Sequence, residues 1–211
     1  MRPSAFDRPH KVSVAGVARL PLGFGAGLTY VGQSGLPYTW VVNGDVNADG
    51  VNGNDLAYIP KDQNDITLRD PSQWDALNNF IGSQDCLKSA RGRFVQRGEC
   101  RNPWQNFLDM RFSWISPELP LGVLPRAVKG QRLELQLDIF NVLNLLNMNW
   151  GLFKQAAAFE THSATFLQAV GYDPANRRPV YSFTAPSVVT STVYSPTQSR
   201  WRIQLGAKYM F

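Results

Sequence analysis

Apolar and polar residues alternate along five stretches of the chain, a pattern typical of β-strands whose two faces meet different surroundings. The clearest stretch is residues 131–144, where leucine or isoleucine at every second position alternates with Glu134, Gln136 and Asp138. The last stretch ends on an aromatic residue, Phe211. The pattern predicts strands over residues 10–20, 24–42, 103–116, 131–144 and 199–211.

These strands are long, since most strands of globular proteins have about five or six residues. Their connections alternate in length: residues 21–23 form a hairpin turn, whereas residues 43–102 and 145–198 are far longer than ordinary loops. Long strands with short turns on one side and long loops on the other are typical of outer-membrane barrels. The sequence therefore predicts an all-β fold, an antiparallel up-and-down segment of a membrane β-barrel. A soluble β-sandwich is the alternative, because alternation alone does not distinguish the two.

Two parts of the long loops have apolar spacing that could form short helices, residues 72–82 and 154–171.

Composition and charge exclude some structural and functional classes of protein. Charged residues make up 18% and aromatic residues 12% of the 211 positions, and no apolar run reaches the ~18 residues that a membrane-spanning helix needs. The net charge is +5, but the lysines and arginines are scattered without a basic block, which argues against nucleic-acid binding. The first ten residues lack the apolar core of a secretory signal, so the protein is either cytosolic or a piece whose export signal lies upstream.

Five segments, in their order along the chain, resemble the C-terminal end of TonB-dependent outer-membrane receptors. They are FDRPHKVSVAGVARLP, GLTYVGQSGLPYTW, RNPWQNFLDMRFSW, LELQLDIFNVLNLLN and WRIQLGAKYMF. The likeness is greatest to the Oar-like group, whose N-terminal region carries a carboxypeptidase-regulatory-like domain. LDIFNVLN and the terminal aromatic are its most specific parts.

The resemblance implies a barrel of about 22 strands in the bacterial outer membrane, plugged by an N-terminal domain and taking up a ligand with energy relayed through TonB. The chain would be a transport component and not an enzyme. Its implied partners are outer-membrane lipid, the barrel-assembly machinery, the remaining N-terminal barrel and plug, TonB acting through that plug, and a ligand that the residues do not identify. Because about eight strands is the smallest membrane barrel, we expect a natural gene product that is longer at its N-terminus.

The resemblance also implies a role for the last strand, as the C-terminal signal that the assembly machinery reads. Its residues are Trp201, Ile203, Leu205, Tyr209 and Phe211.

One loop has the residue types of a calcium site. Counted from Asp45, oxygen-bearing side chains occupy positions 1, 3 and 5, a glycine occupies position 6, and a backbone carbonyl is available at position 7. Position 12 lacks the usual bidentate glutamate, so the nearest carboxylate is one residue earlier. The predicted ligands of this structural calcium are Asp45, Asn47, Asp49, Val51 and Asp55. The alternative is a surface loop stabilised by Asx turns.

The two cysteines, Cys86 and Cys100, belong to no CxxC pair and have no histidine nearby, which argues against zinc. Their separation suits a disulfide within a loop, with two unpaired thiols as the alternative.

Two other functions are compatible with the sequence. One is a secreted, calcium-stabilised β-domain that binds glycans or proteins. The other is a hydrolase, for which the sequence has no G-x-S-x-G, no Walker loop and no H-E-x-x-H motif.

Overall fold

The computed structural model describes residues 4–118, 130–156, 162–187 and 195–210. Most of its long elements are strands, and three of the four α-helices in the described residues have five residues or fewer. In chain order the strands are β1 (Lys11–Arg19), β2 (Phe24–Gln33), β3 (Pro37–Asn43), β4 (Tyr58–Ile59), β5 (Thr67–Leu68), β6 (Arg93–Phe94), β7 (Cys100–Arg101), β8 (Gln105–Ile115), β9 (Arg132–Phe140), β10 (Ser163–Asp173), β11 (Arg178–Phe183) and β12 (Arg202–Met210). The helices are α1 (Trp74–Ser83), α2 (Asp85–Ser89), α3 (Val142–Leu146) and α4 (Pro196–Ser199).

The chain divides into two compact units. We name the first the insert unit; it comprises the described residues of Met1–Arg8, Gly35–Pro103 and Lys154–Tyr194. We name the second the sheet unit; it comprises the described residues of Pro9–Ser34, Trp104–Phe153 and Ser195–Phe211. Each unit is described by itself below.

The sheet unit is built on five long antiparallel strands in the order β1-β2-β8-β9-β12. The pairing is regular: nine residue pairs join β1 to β2, and nine join β9 to β12, without a bulge. Within the described residues β1 and β12 are the two edges of this sheet, so it is open. The prediction of an all-β chain with antiparallel sheets is confirmed at this level.

Strand ends explain why the short and long connections alternate. Lys11, Gln33 and Gln105 are paired neighbours at one end of the sheet, and Phe140 and Arg202 pair at that same end. Both segments that make most of the insert unit therefore leave the sheet from this one end. At the opposite end a tight turn over Pro21–Gly23 joins β1 to β2.

That turn requires a glycine. Gly23 has a φ of +82°, and a Cβ there would lie 2.2 Å from the carbonyl oxygen of Ile115. Only glycine accepts both conditions at low cost, because it has no Cβ to clash.

The prediction of one strand over residues 24–42 is wrong. The sheet strand β2 ends at Gln33, and β3 starts at Pro37 in a different sheet. Gly35 lies between them, where the backbone of Asn102 approaches so closely that a Cβ would lie 2.1 Å from its carbonyl oxygen. Proline suits the first residue of a strand, where its missing N–H is tolerated.

The predicted strand over 131–144 is also too long. It ends at Phe140, because Asn141 adopts a left-handed conformation with a φ of 54° and begins helix α3. The buried Asn141 amide donates to the carbonyl oxygens of Gly151 and Ser199, which holds this turn in place. The other three predicted sheet strands, over 10–20, 103–116 and 199–211, are one to three residues shorter at each described end.

The prediction that residues 43–102 and 145–198 are long loops is wrong in its main part. Most of their described residues fold into the insert unit, around a five-stranded sheet in the order β5-β11-β10-β3-β7. Here β3 and β10 run parallel. Four strands of the insert unit, β4, β5, β6 and β7, have only two residues each, too few to show a period in the sequence.

A hydrophobic core fills the insert unit, and Trp40 lies at its centre with no exposed surface. Its indole packs edge-on against Tyr38, Phe80 and Phe166, with ring centroids 5.4–5.7 Å apart. Six of the seven residues of β3 are buried, as expected for a strand covered on both faces.

Helix α1 confirms the prediction over residues 72–82. Asp70 caps the preceding turn by accepting the Ser72 N–H, and the helix buries Leu77 and Ile81, four residues apart on one face. The prediction of a helix over 154–171 is wrong from Ser163 onward, where strand β10 begins. A bulge between Thr165 and Leu167 buries two successive side chains, which breaks the alternation that identifies a strand.

No helix in the described part of the chain is long and apolar enough to cross a membrane.

Candidate functional site

The sheet unit exposes one almost wholly apolar surface. Because directly paired residues share a face, the register carries this surface from strand to strand: Leu205 pairs with Leu137, which pairs with Phe112. We name it the apolar face. Its large members are Val12, Val14, Phe24, Leu28, Tyr30, Leu108, Met110, Phe112, Trp114, Leu133, Leu135, Leu137, Ile139, Ile203, Leu205 and Tyr209. Many of these side chains are exposed, Leu205 to 78%.

Aromatic residues mark both ends of the apolar face. At the turn end, Phe24 pairs with Trp114, whose indole N–H donates to the carbonyl of Leu22 at 3.1 Å. At the other end, Tyr30 and Trp104 both donate to the Asn106 side chain, at 2.7 and 2.8 Å. Rings with an apolar body and a satisfied polar atom are suited to a membrane–water boundary.

The spacing of these rows is close to that of a membrane. Trp104, which immediately precedes β8, and Trp114 in β8 are ten residues apart, or about 34 Å at ~3.4 Å per residue. A strand tilt of about 40° shortens this to roughly 26 Å, near the ~25 Å apolar band of outer-membrane barrels.

The opposite face of the sheet is mostly polar, although Val17, Ile115 and Phe140 also lie on it, and is named the polar face. Arg111 on β8 donates to Asp138 on β9 at 2.6 Å, and Gln136 donates to the same carboxylate. Lys208 and Glu134 are 4.0 Å apart across β12 and β9. Charged partners on neighbouring strands thus lie back to back with the apolar face, as the sequence predicts for Glu134, Gln136 and Asp138.

The predicted assembly-signal residues lie on and beside β12. Ile203, Leu205 and Tyr209 share the apolar face, and Trp201 immediately precedes the strand. Phe211 lies outside the described residues. Their recognition by an assembly machinery stays a prediction.

The predicted calcium ligands lie on one loop of the insert unit, where their carboxylates already have partners. Both Asp45 oxygens accept backbone N–H groups, from Asp49 at 3.2 Å and Gly50 at 2.8 Å. Asp49 accepts the N–H of Val51 and the side-chain amides of Asn47 and Asn54. The Asn54 amide is the largest cause, ahead of the Val51 N–H, of a pKa of the Asp49 carboxyl below its usual value.

Asp55 faces a different partner, since its Oδ2 accepts the backbone N–H of Val46 at 2.6 Å. No group of three histidine, cysteine, aspartate or glutamate side chains in the described residues is arranged to hold a metal ion. The hydrogen bonds of the loop are those of Asx turns, which was the alternative interpretation. The oxygen donors still have the chemistry that calcium prefers, so calcium binding stays a prediction.

Calcium can be tested by stability. If the loop binds calcium with the ~0.1–1 mM affinity of extracellular modules, about 10 mM calcium stabilises the folded insert unit by ~1.5–3 kcal/mol over EDTA. The measurement is chemical unfolding of the wild type, of Asp49→Ala, and of Asp62→Ala, which removes a carboxylate from another Asx turn. Only Asp49→Ala should lose the calcium effect. Equal stability of the wild type in calcium and EDTA would refute the site.

The predicted disulfide is confirmed. Cys86 in α2 is bonded to Cys100 in β7, with Cα atoms 5.5 Å apart. Since β7 pairs with β3 at Tyr38, the bond ties the short helix to the edge of the core sheet.

Removing this disulfide should destabilise the insert unit. A bond that closes a loop of this size stabilises by about 3 kcal/mol, mainly by restricting the unfolded chain. We expect that loss in the free energy of unfolding of a Cys86→Ser, Cys100→Ser double variant and, equally, of wild type kept in reductant. A reduced wild type that unfolds at the same denaturant concentration as the oxidised protein would contradict the expectation.

A cavity of about 700 Å³ opens in the insert unit beside the 45–55 loop. Its wall includes Tyr58 and Phe94, which pack edge-on with centroids 5.2 Å apart, and the Arg97 and Arg178 guanidiniums. Asp65 accepts the Tyr58 hydroxyl at 2.8 Å. Such cavities, mostly apolar with a few convergent polar groups, are typical of small-molecule sites.

Two titratable groups of the cavity are shifted by their partners. The backbone N–H of Lys61, and next the Tyr58 hydroxyl, keep the pKa of the Asp65 carboxyl below its usual value. Burial, with a smaller contribution from the Asp55 charge, raises the pKa of Tyr181 to about 12. At neutral pH the cavity therefore presents an ionised acceptor and a protonated phenol.

Sequence reasoning missed this cavity. Phe94 and Arg97 lie about 40 residues after the 45–55 loop, and Arg178 lies more than 120 residues after it. The pairing of β6 with β4 and of β11 with β5 brings these side chains near the loop. No local motif carries that information.

Comparisons with protein-family models, curated proteins and solved structures find no match to the chain.

Proposed function

We propose that the chain forms part of the wall of a bacterial outer-membrane β-barrel of the TonB-dependent receptor type. The observation that carries this proposal is the exposed apolar face, which continues across all five strands between two rows of aromatic residues. A soluble protein rarely leaves so large an apolar surface uncovered. In a barrel wall this surface faces lipid, and the polar face lines the lumen.

The open edges of the sheet support the same proposal. Unpaired strand edges are untenable in lipid, because their N–H and C=O groups have no water to bind. Further strands, from the remaining N-terminal barrel, would pair with β1 and β12 and close the cylinder. The plug inside such a barrel would be the contact for TonB.

Connectivity supports an orientation. Barrels of this kind have short turns in the periplasm and long connections outside. The turn over Pro21–Gly23 is then periplasmic, and the insert unit, which leaves the sheet from the opposite end, is extracellular. An extracellular location also suits the Cys86–Cys100 disulfide.

The test is fractionation of cells that express the natural gene product from its own locus. We expect the protein in the outer-membrane fraction, resistant to extraction by carbonate and high salt, and migrating faster on gels before heating than after. Recovery without detergent as a monodisperse monomer would reject the barrel. It would favour a secreted β-domain built around the insert unit.

A further inference from the structure

We infer that the cavity of the insert unit is a binding site for a short, neutral oligosaccharide. The inference concerns a different surface from the apolar face and holds whether or not the sheet unit lies in a membrane. All of the residues that line the cavity belong to the insert unit.

The first argument is the aromatic pair Tyr58 and Phe94, which lines the cavity. Phe94 is 59% exposed although it is a large apolar side chain, and Tyr58 packs edge-on against it. This pair holds the Phe94 ring in place with much of its surface open to solvent. A pyranose ring has one face of C–H groups, and covering the exposed ring with that face removes apolar surface of both from water.

The second argument is the mixture of hydrogen-bonding groups that line the same cavity. Arg97 donates to the carbonyl of Asn54 at 3.1 Å, and Arg178 donates to the carbonyl of Asn64 at 2.9 Å. Each guanidinium is fixed by that bond, and each has five N–H donors, so donors remain for a ligand. Asp65 supplies an ionised acceptor. Sugar hydroxyls both donate and accept, so they match a wall that offers both.

A third observation is an acceptor without a partner. The Asn54 side-chain oxygen is buried at the cavity wall and accepts no hydrogen bond from the described residues. Buried polar atoms of this kind are uncommon, and a small rotation of the Asn54 amide would be needed before a ligand hydroxyl could donate to this oxygen.

The charges of the cavity wall argue against strongly acidic and strongly basic ligands. The cavity wall carries the carboxylates of Asp49, Asp55 and Asp65 and the guanidiniums of Arg97 and Arg178. Because the two signs are interspersed, a strongly acidic or strongly basic ligand would meet like charges as well as opposite ones. A neutral polyhydroxylated ligand meets neither penalty. The volume of about 700 Å³ admits a small molecule with several hydroxyl groups.

The experiment is isothermal titration of the purified full-length protein, kept in a detergent that contains no sugar. The probes are maltotriose, cellotriose, laminaritriose and tri-N-acetylchitotriose, which are all neutral, with triglutamate and trilysine as charged comparisons. We expect at least one trisaccharide to bind with a Kd of about 1 mM or tighter. Binding of neither class, or of a charged peptide only, would overturn the inference.

Variants assign the binding to this cavity. Phe94→Ala removes the exposed ring and Arg178→Gln removes a guanidinium, and each should weaken trisaccharide binding about tenfold or more, equal to ~1.4 kcal/mol. Tyr172→Ala is the matched control, because Tyr172 is a 62% exposed aromatic of the same unit that does not line the cavity. It should leave the Kd within about twofold, since it removes no group from the wall. Wild-type affinity in both cavity variants, with an unchanged near-UV spectrum, would place the sugar elsewhere and refute the inference.

Discussion

Replacing Leu205 with arginine is expected to abolish assembly of the protein into the outer membrane. Leu205 lies on the apolar face midway between Trp201 and Tyr209, so in the proposed barrel it faces the centre of the bilayer. Arginine at the midplane of a barrel costs about 2–4 kcal/mol, and the lost lipid contact of leucine adds roughly 1.5–2 kcal/mol. A loss of about 4–6 kcal/mol is a large part of the stability of a folded protein.

The same substitution distinguishes a lipid environment of the apolar face from an aqueous one. In water, Leu205 is already 78% exposed, so a soluble protein would change by no more than ~0.5 kcal/mol. Gln204→Arg is the matched control, because Gln204 is the preceding residue of the same strand and lies on the polar face. It should assemble as the wild type does.

The measurement is the amount of heat-modifiable protein in the outer membrane, supported by the free energy of folding into phospholipid vesicles. Assembly of Leu205→Arg and Gln204→Arg to equal levels would show that the apolar face does not meet lipid. The two substitutions add the same charge one residue apart, so a difference between them reports the face and not the charge.

The sheet unit was predictable because each of its long strands carries its own evidence. Leu133 through Ile139 alternate with Glu134 through Asp138, and the observed register carries that alternation into both neighbouring strands. Period-two alternation survives in the sequence whenever one face differs from the other over many residues. Errors arose at strand ends, as at Asn141, where a single left-handed residue ends the strand without disturbing the apolar pattern.

The insert unit was not predictable for the opposite reason. Its strand β3 is buried on both faces and so has no alternation, and the central strand β10, which pairs with β3, loses its alternation at a bulge. Strands of two residues, such as β4 and β6, exist only through their partners. Tertiary packing decides such elements, and the cavity that depends on them could not be read from any local run of residues.

The calcium loop lies between these cases. The residues that form this loop are close together in the sequence, so the turn was predictable. The segment DVNADG, however, is compatible both with a loop of Asx turns and with a calcium-binding loop. Asx turns and calcium ligation both need Asp45 and Asp49 to converge on one small loop. The sequence alone does not choose between them, and the calcium titration does.

Replacing Trp40 with alanine is expected to unfold or strongly destabilise the insert unit. Trp40 has no exposed surface and contacts Tyr38, Phe80 and Phe166, which come from the central strands and the main helix. Deleting a fully buried tryptophan costs about 3–5 kcal/mol through lost burial and the cavity left behind.

Two further variants serve as controls for this prediction. Trp40→Phe keeps an aromatic ring in the same contacts and should lose clearly less, because less volume is removed. Tyr172→Ala removes an exposed aromatic of the same unit and should change the free energy of unfolding by about 0.5 kcal/mol or less. The measurement is denaturant unfolding followed by near-UV circular dichroism, with hydrogen exchange of the β3 and β10 amides to assign the loss to the insert unit. If Trp40→Ala unfolded as Tyr172→Ala does, the insert unit would not be a fold with its own core. If Trp40→Ala is destabilised as expected, the frame that positions Phe94 and Arg178 is lost with the core, and trisaccharide binding should be lost in the same variant.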